Sequence, residues 1–81
     1  VRYFAAARAA ADADSQTLTV RPGATVAEVL HNVARGNPRL STVLSRCSYL
    51  CDGIAVSAQA AGSRRLESGS TVDVLPPFAG G

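Results

Sequence analysis

Pro22-Gly23-Ala24-Thr25-Val26-Ala27-Glu28-Val29-Leu30-His31-Asn32-Val33 is the stretch that decides how this chain folds. Pro22-Gly23 breaks whatever precedes it. A Thr at position 25 with a Glu at position 28, just ahead of an apolar run, is a capping box that satisfies free N–H groups at a helix start. Val26, Val29, Leu30 and Val33 then recur at the spacing of one helical stripe, which predicts that they are buried together. His31, Asn32 and Arg35 fall off that stripe and are expected to face solvent. Gly36-Asn37-Pro38 closes the helix with a left-handed cap followed by a residue that cannot continue it.

Working outward, the flanks read mostly as strands. Val1-Arg2-Tyr3-Phe4-Ala5 is β-branched and aromatic and predicts a first strand. The Ala-rich stretch 6–11, interrupted by Arg8, predicts a short helical turn, and residues 12–15 a loop. Thr17-Leu18-Thr19-Val20 alternates polar with apolar, the pattern of a half-buried second strand paired hairpin-like with the first. Beyond the central helix, Leu40, Val43 and Leu44 predict a further short helix. Tyr49-Leu50-Cys51 and Ile54-Ala55-Val56 predict strands on either side of an Asp52-Gly53 turn. Residues 57–65 are small and polar and read as a loop, Leu66-Glu67-Ser68-Gly69 as a tight turn, and Thr71-Val72-Asp73-Val74-Leu75 as the last strand. The expected architecture is α+β, a small mixed sheet packed on one main helix. It is expected to be a single domain over residues 1–81, with residues 76–81 as an extended functional tail.

Composition narrows the function classes. Of 81 residues, 47% are hydrophobic, but 15 of those are Ala, so packing volume falls to Val, Leu, Ile, Tyr3, Phe4, Tyr49 and Phe78. The net charge of +2 is carried by eight Arg and no Lys. These arginines are scattered among acids rather than gathered in a stripe, which argues against a nucleic-acid partner. No apolar run reaches the length of a membrane span and no signal-peptide pattern opens the chain, so a cytoplasmic protein is expected. The chain starts at Val1 and has no Met; either an initiator was processed off or the chain was trimmed. Cys47 and Cys51 fit neither redox nor zinc spacing and read as small buried hydrophobes, dispensable for chemistry. His31 is the only histidine, and nothing assembles a triad, a carboxylate pair or a metal cluster.

Chemistry is instead concentrated at the end of the chain, Leu75-Pro76-Pro77-Phe78-Ala79-Gly80-Gly81. Two terminal glycines make the thinnest terminus a protein can present. Pro76 and Pro77 fix φ and favour an extended path. A stiff stalk with a bare tip can enter a narrow cleft and suits a carboxylate that is itself the reactive group. Absence of lysine adds one consequence: the chain offers no ε-amine on which Lys-linked copies of itself could be built.

Three segments carry a resemblance. They are the opening Val1-Arg2-Tyr3-Phe4-Ala5-Ala6-Ala7-Arg8, the segment from Pro22 through Leu30, and the ending Leu66-x-x-Gly69-x-x-Val72-x-Val74-Leu75-Pro76-Pro77-Phe78-Ala79-Gly80-Gly81. Together they resemble the MoaD/ThiS sulfur-carrier family, and within it the branch that forms the small subunit of molybdopterin synthase; the Pro-Pro pair leans that way. The resemblance implies a ubiquitin-like β-grasp fold. It implies that an E1-like (MoeB-like) adenylating enzyme joins the Gly81 carboxylate to AMP using ATP and Mg²⁺, with no cofactor bound by the carrier itself. Persulfide sulfur then leaves a thiocarboxylate, which a MoaE-like large subunit of molybdopterin synthase uses to build a dithiolene on a cyclic pyranopterin. Gly81 and Gly80 would be the reactive end, and Phe4, Leu75, Pro76, Pro77, Phe78 and Ala79 the partner-binding residues. Catalytic groups would belong to the partners.

Two departures stand out. Ser70 occupies a position where the family often has an acid, and the balance here is basic where many relatives are acidic. Three other functions share the same residues. A carrier could serve cysteine, thiazole or tRNA thiolation, a ubiquitin-like modifier could form an amide on a target lysine, and a binding module of this fold could use neither chemistry.

Overall fold

The computed structural model describes residues 1–57 and 59–77. In chain order it contains β1 (Arg2–Tyr3), α1 (Ala5–Ala11), α2 (Val26–Ala34), α3 (Pro38–Leu44), β2 (Ser48–Cys51), β3 (Ile54–Val56), a 3₁₀ turn (Ala60–Gly62) and β4 (Val72–Leu75). The central helix forms where the capping residues place it. Thr25 is extended and its Oγ1 accepts from Glu28 N at 3.3 Å. The Glu28 carboxylate turns to the Arg21 guanidinium at 2.5 Å. Val26, Val29 and Val33 are buried, Leu30 is half-buried, and His31, Asn32 and Arg35 are exposed. Gly36 takes the expected left-handed φ of +75°. Pro38 stops nothing further; it opens α3 at a first-turn position where its missing N–H costs no hydrogen bond. Asn37 caps that helix, its Oδ1 accepting from Leu40 N at 3.1 Å while its Nδ2 donates to Ala10 O, tying α3 to the end of α1.

The four strands form one mixed sheet in the order β1-β4-β2-β3. β4 lies parallel to β1 and antiparallel to β2, and β2 and β3 make a hairpin. That hairpin turns on Asp52 and Gly53 with φ of +50° and +82°, both positive as a two-residue primed turn requires. The Asp52 carboxylate also accepts from Thr71 N at 2.9 Å, pinning the turn to the start of β4.

Side chains alternate across the sheet, and the alternation sorts its two faces. Tyr3, Val74, Tyr49 and Val56 are register partners and all buried. They face the helices: Ala7 and Ala10 of α1, Val33 of α2, and Leu40 and Leu44 of α3 close one cluster with Tyr3, Tyr49 and Val74. Val26, Ala61, Cys51, Val56 and Val72 close a second. The sheet thus rests on the expected main helix, α2, with the two shorter helices packed beside it. α2 is the longest at nine residues, and α1 and α3 have seven each.

Two expected strands are corrected. The first is only Arg2–Tyr3, because Phe4 leaves the sheet and Ala5 opens α1. Ala5 makes that corner at a left-handed φ of +50°, which costs a residue with a Cβ about 1–2 kcal/mol. The strand expected at residues 17–20 does not form. Its neighbourhood runs antiparallel to β1 only as far as the Arg2↔Ser15 bridge and the bonds Tyr3 N to Asp14 O and Gln16 N to Val1 O. Among the described residues no bridge carries that pairing on to residues 17–20. The burial alternation survives: Leu18 and Val20 are half-buried, Thr17 and Thr19 exposed. Among the described residues, no helix is long and apolar enough to cross a membrane.

Candidate functional site

Topology brings the proposed partner-binding residues to one end of the sheet. β1 and β4 run parallel, so the chain after Tyr3 and the chain after Val74 emerge side by side, and Phe4 N donates to Val74 O at 3.1 Å. Phe4 is 40% exposed there. Leu75 is half-buried, and Pro76 and Pro77 are exposed and outside any ladder. The family resemblance implied partner binding at these four residues, and the parallel strand pair is what juxtaposes them. Phe78, Ala79, Gly80 and Gly81 lie outside the described residues.

The sheet face turned away from the helices continues this surface. Leu75 and Ser48 are register partners on it, as are Arg2, Asp73, Leu50 and Ala55 in the neighbouring row. Leu50 and Leu75 belong to neither core cluster. Sequence reasoning missed the pair at the centre of this face. Arg2 Nε donates to Asp73 Oδ1 at 2.5 Å and Nη2 to Oδ2 at 2.8 Å, a bidentate fork. The carboxylate is buried, its side chain 9% exposed, beneath a guanidinium that is 58% exposed. Hydrogen bonding to the carboxylate, then its charge, holds the Arg2 proton still more firmly than usual. The signal was present as opposite charges at the same pleat phase of two strands. Only the parallel register turns that into a contact.

Elsewhere the chemistry is sparse. Cys51 is buried and Cys47 half-buried, both are free thiols, and burial pushes each thiol above its ordinary pKa. Both therefore stay protonated and weakly nucleophilic. Cys47 donates to Val43 O. His31 is exposed on α2, away from both. Among the described residues no group of three or more His, Cys, Asp or Glu side chains could hold a metal ion. A cleft of about 840 Å³ lies between Val1 and Arg2, the segment 16–23 and residues 66–72. It holds neither thiol nor imidazole.

Comparison with known proteins fits this geometry. The ThiS family matches residues 1–81. The chain belongs to that family. It is 30% identical over its whole length to the molybdopterin synthase sulfur carrier subunit of Chlamydomonas reinhardtii, covering 95% of that protein. Among solved structures, the Haloferax volcanii HVO 2177 protein superposes with a TM-score of 0.82 at 29% identity, over 99% of this chain and 82% of that one. SAMP1 from the same organism superposes at 0.78 with 24% identity, over 99% and 94%. The fold is the ubiquitin-like β-grasp, as the resemblance implied.

Proposed function

We propose that this ThiS-family chain is the sulfur-carrying small subunit of a molybdopterin synthase, and that its reactive group is the Gly81 carboxylate. The observation that carries the reading is the ending Pro76-Pro77-Phe78-Ala79-Gly80-Gly81 in a chain whose full length aligns with a molybdopterin synthase sulfur carrier subunit. A carboxylate is a poor electrophile, so an E1-like adenylating enzyme first exchanges ATP pyrophosphate for the acyl group, giving an acyl adenylate. The terminal sulfur of a donor persulfide attacks the acyl carbon and AMP leaves. A thiol of the donor then takes the remaining S–S bond as its own disulfide and releases the thiocarboxylate. The tail enters the large synthase subunit, which transfers the sulfur to a cyclic pyranopterin. In this scheme the β-grasp body supplies docking through Phe4, Leu75, Pro76, Pro77, Phe78 and Ala79, and the glycine pair supplies reach.

The test is intact-mass measurement after incubation with the adenylating enzyme, ATP, Mg²⁺ and a persulfide donor. One oxygen-to-sulfur exchange is expected, absent in a variant lacking Gly81 whose circular dichroism is unchanged. Sulfur uptake by the truncated protein would sink the carrier reading.

A second reading draws on the likeness to SAMP1, a small archaeal modifier protein. As a modifier, the chain would form an amide between Gly81 and a target lysine. Conjugates resistant to denaturant and reductant would reveal it. Lacking lysine, the attached copy could not be extended through an ε-amine of its own.

A further inference from the structure

The Arg2–Asp73 pair holds a buried carboxylate against an exposed guanidinium. A carboxylate taken out of water is costly, and replacing such a pair by apolar residues is often neutral or stabilising. Here it sits where an apolar pair would seal the sheet. Its arrangement is also polar in one direction, with the anion beneath and the cation above. The bidentate fork occupies one edge of the guanidinium and leaves the Nη1 edge outward. Viewed from outside, the face therefore presents a positive, donor-rich centre whose orientation is fixed by a buried anchor. Apolar groups flank that centre on one side, Leu50 beside Asp73, Leu75 one pleat further along β4 and Phe4 at the strand end, while Ser15 bridges to Arg2 on the other. Asp73 is the only acid in the four strands, and it is already matched.

We propose that Arg2, at the centre of this uncovered sheet face, is a specificity-determining contact: it selects a tail-receiving partner that presents a carboxylate over its guanidinium, beside Leu50 and Leu75. The occupant follows from two features. Leu75 runs directly into Pro76, so a partner that takes the tail lies against this face. The outward charge is positive, so the complementary surface is acidic. The proposal rests on the sulfur-carrier reading, since it is that reading which supplies a tail-receiving partner. Asp73 is a positioning residue, and Arg2 makes the contact.

The experiment titrates the large synthase subunit with wild type, Arg2→Gln, Arg2→Glu and the double variant Arg2→Gln/Asp73→Asn, at low and high salt, with a melting curve for each. Arg2→Gln should weaken binding about tenfold and Arg2→Glu about a hundredfold, in the range for charged groups at interface centres. Added salt should weaken wild type more than Arg2→Gln. Arg2→Gln strands a buried carboxylate and should lower the melting temperature. The double variant removes that charge, so it should recover melting temperature while binding stays weak. Recovery of affinity together with stability would mean that Arg2 acts only through the fold and would overturn the proposal. So would a folded Arg2→Glu that binds like wild type. Sedimentation of the protein alone covers another occupant: a dimer that Arg2→Glu dissolves would give the face to a second copy and overturn the proposal. If wild type takes up sulfur but Arg2→Glu binds normally, this inference alone fails; if wild type neither takes up sulfur nor binds, the carrier reading fails with it.

Discussion

Phe4→Ala separates docking from folding at the one aromatic residue that, among the described residues, flanks the tail exit. Phe4 is 40% exposed. A phenylalanine side chain offers about 200 Å², so about 80 Å² remains for a partner to cover, worth about 2 kcal/mol at about 25 cal/mol per Å². Affinity for the large synthase subunit should therefore fall about thirtyfold. The covered part of the ring already serves the fold. Its truncation should cost about 2 kcal/mol, less than the loss for a wholly buried Phe, and lower the melting temperature by roughly 10 °C in a chain of this size. Calorimetric titration well below the variant's midpoint, paired with a thermal melt, reads both quantities. Phe4→Leu keeps most of the apolar cover and should fall between wild type and Phe4→Ala on both scales. A melting temperature that drops as expected with a dissociation constant within twofold of wild type would refute the argument. Phe4 would then be a folding residue whose exposed edge touches no partner.

Two further outcomes follow from single side chains. Asn37→Ala removes the α3 cap and the bond to Ala10 O together, and should cost about 1–2 kcal/mol in a urea titration without changing sulfur uptake. Asp52 is held below the ordinary carboxylate pKa, chiefly by the hydrogen bond from Thr71 N. A depressed folded-state pKa gives stability that is complete above the unfolded value, about pH 4, and is lost as pH falls through the folded one. Asp52→Asn keeps an acceptor and tolerates the left-handed backbone, so its melting temperature should fall less than wild type's between pH 5 and pH 2. Parallel pH curves would assign the acid sensitivity to other carboxylates.

Local signals were legible wherever neighbours in sequence satisfy one another. Thr25 and Glu28 fix the start of α2, Gly36 its end, and Asp52-Gly53 the β2–β3 hairpin, because each of these is a short-range hydrogen-bond or φ requirement. The alternation of residues 17–20 correctly assigned which side chains turn inward. It could not supply a ladder partner, which depends on tertiary pairing, so no strand forms there while the burial pattern holds. The family motif at residues 75–81 was likewise visible as sequence, because a Pro-Pro pair and a terminal Gly-Gly pair need no distant residue to define them.

Tertiary structure alone decided what the sheet presents. Phe4 and Leu75 are 71 positions apart, as are Arg2 and Asp73, and only the parallel pairing of β1 with β4 brings each pair together. Parallel register is set by the crossover that packs three helices on one face, not by any local pattern, so no reading of Val1-Arg2-Tyr3 or Val72-Asp73-Val74 could foresee it. The sequence by itself determined most of the elements and carried the family's ending. The fold determined the surface beside that end, because a charge becomes a buried anchor or an exposed donor only when its partner strand arrives.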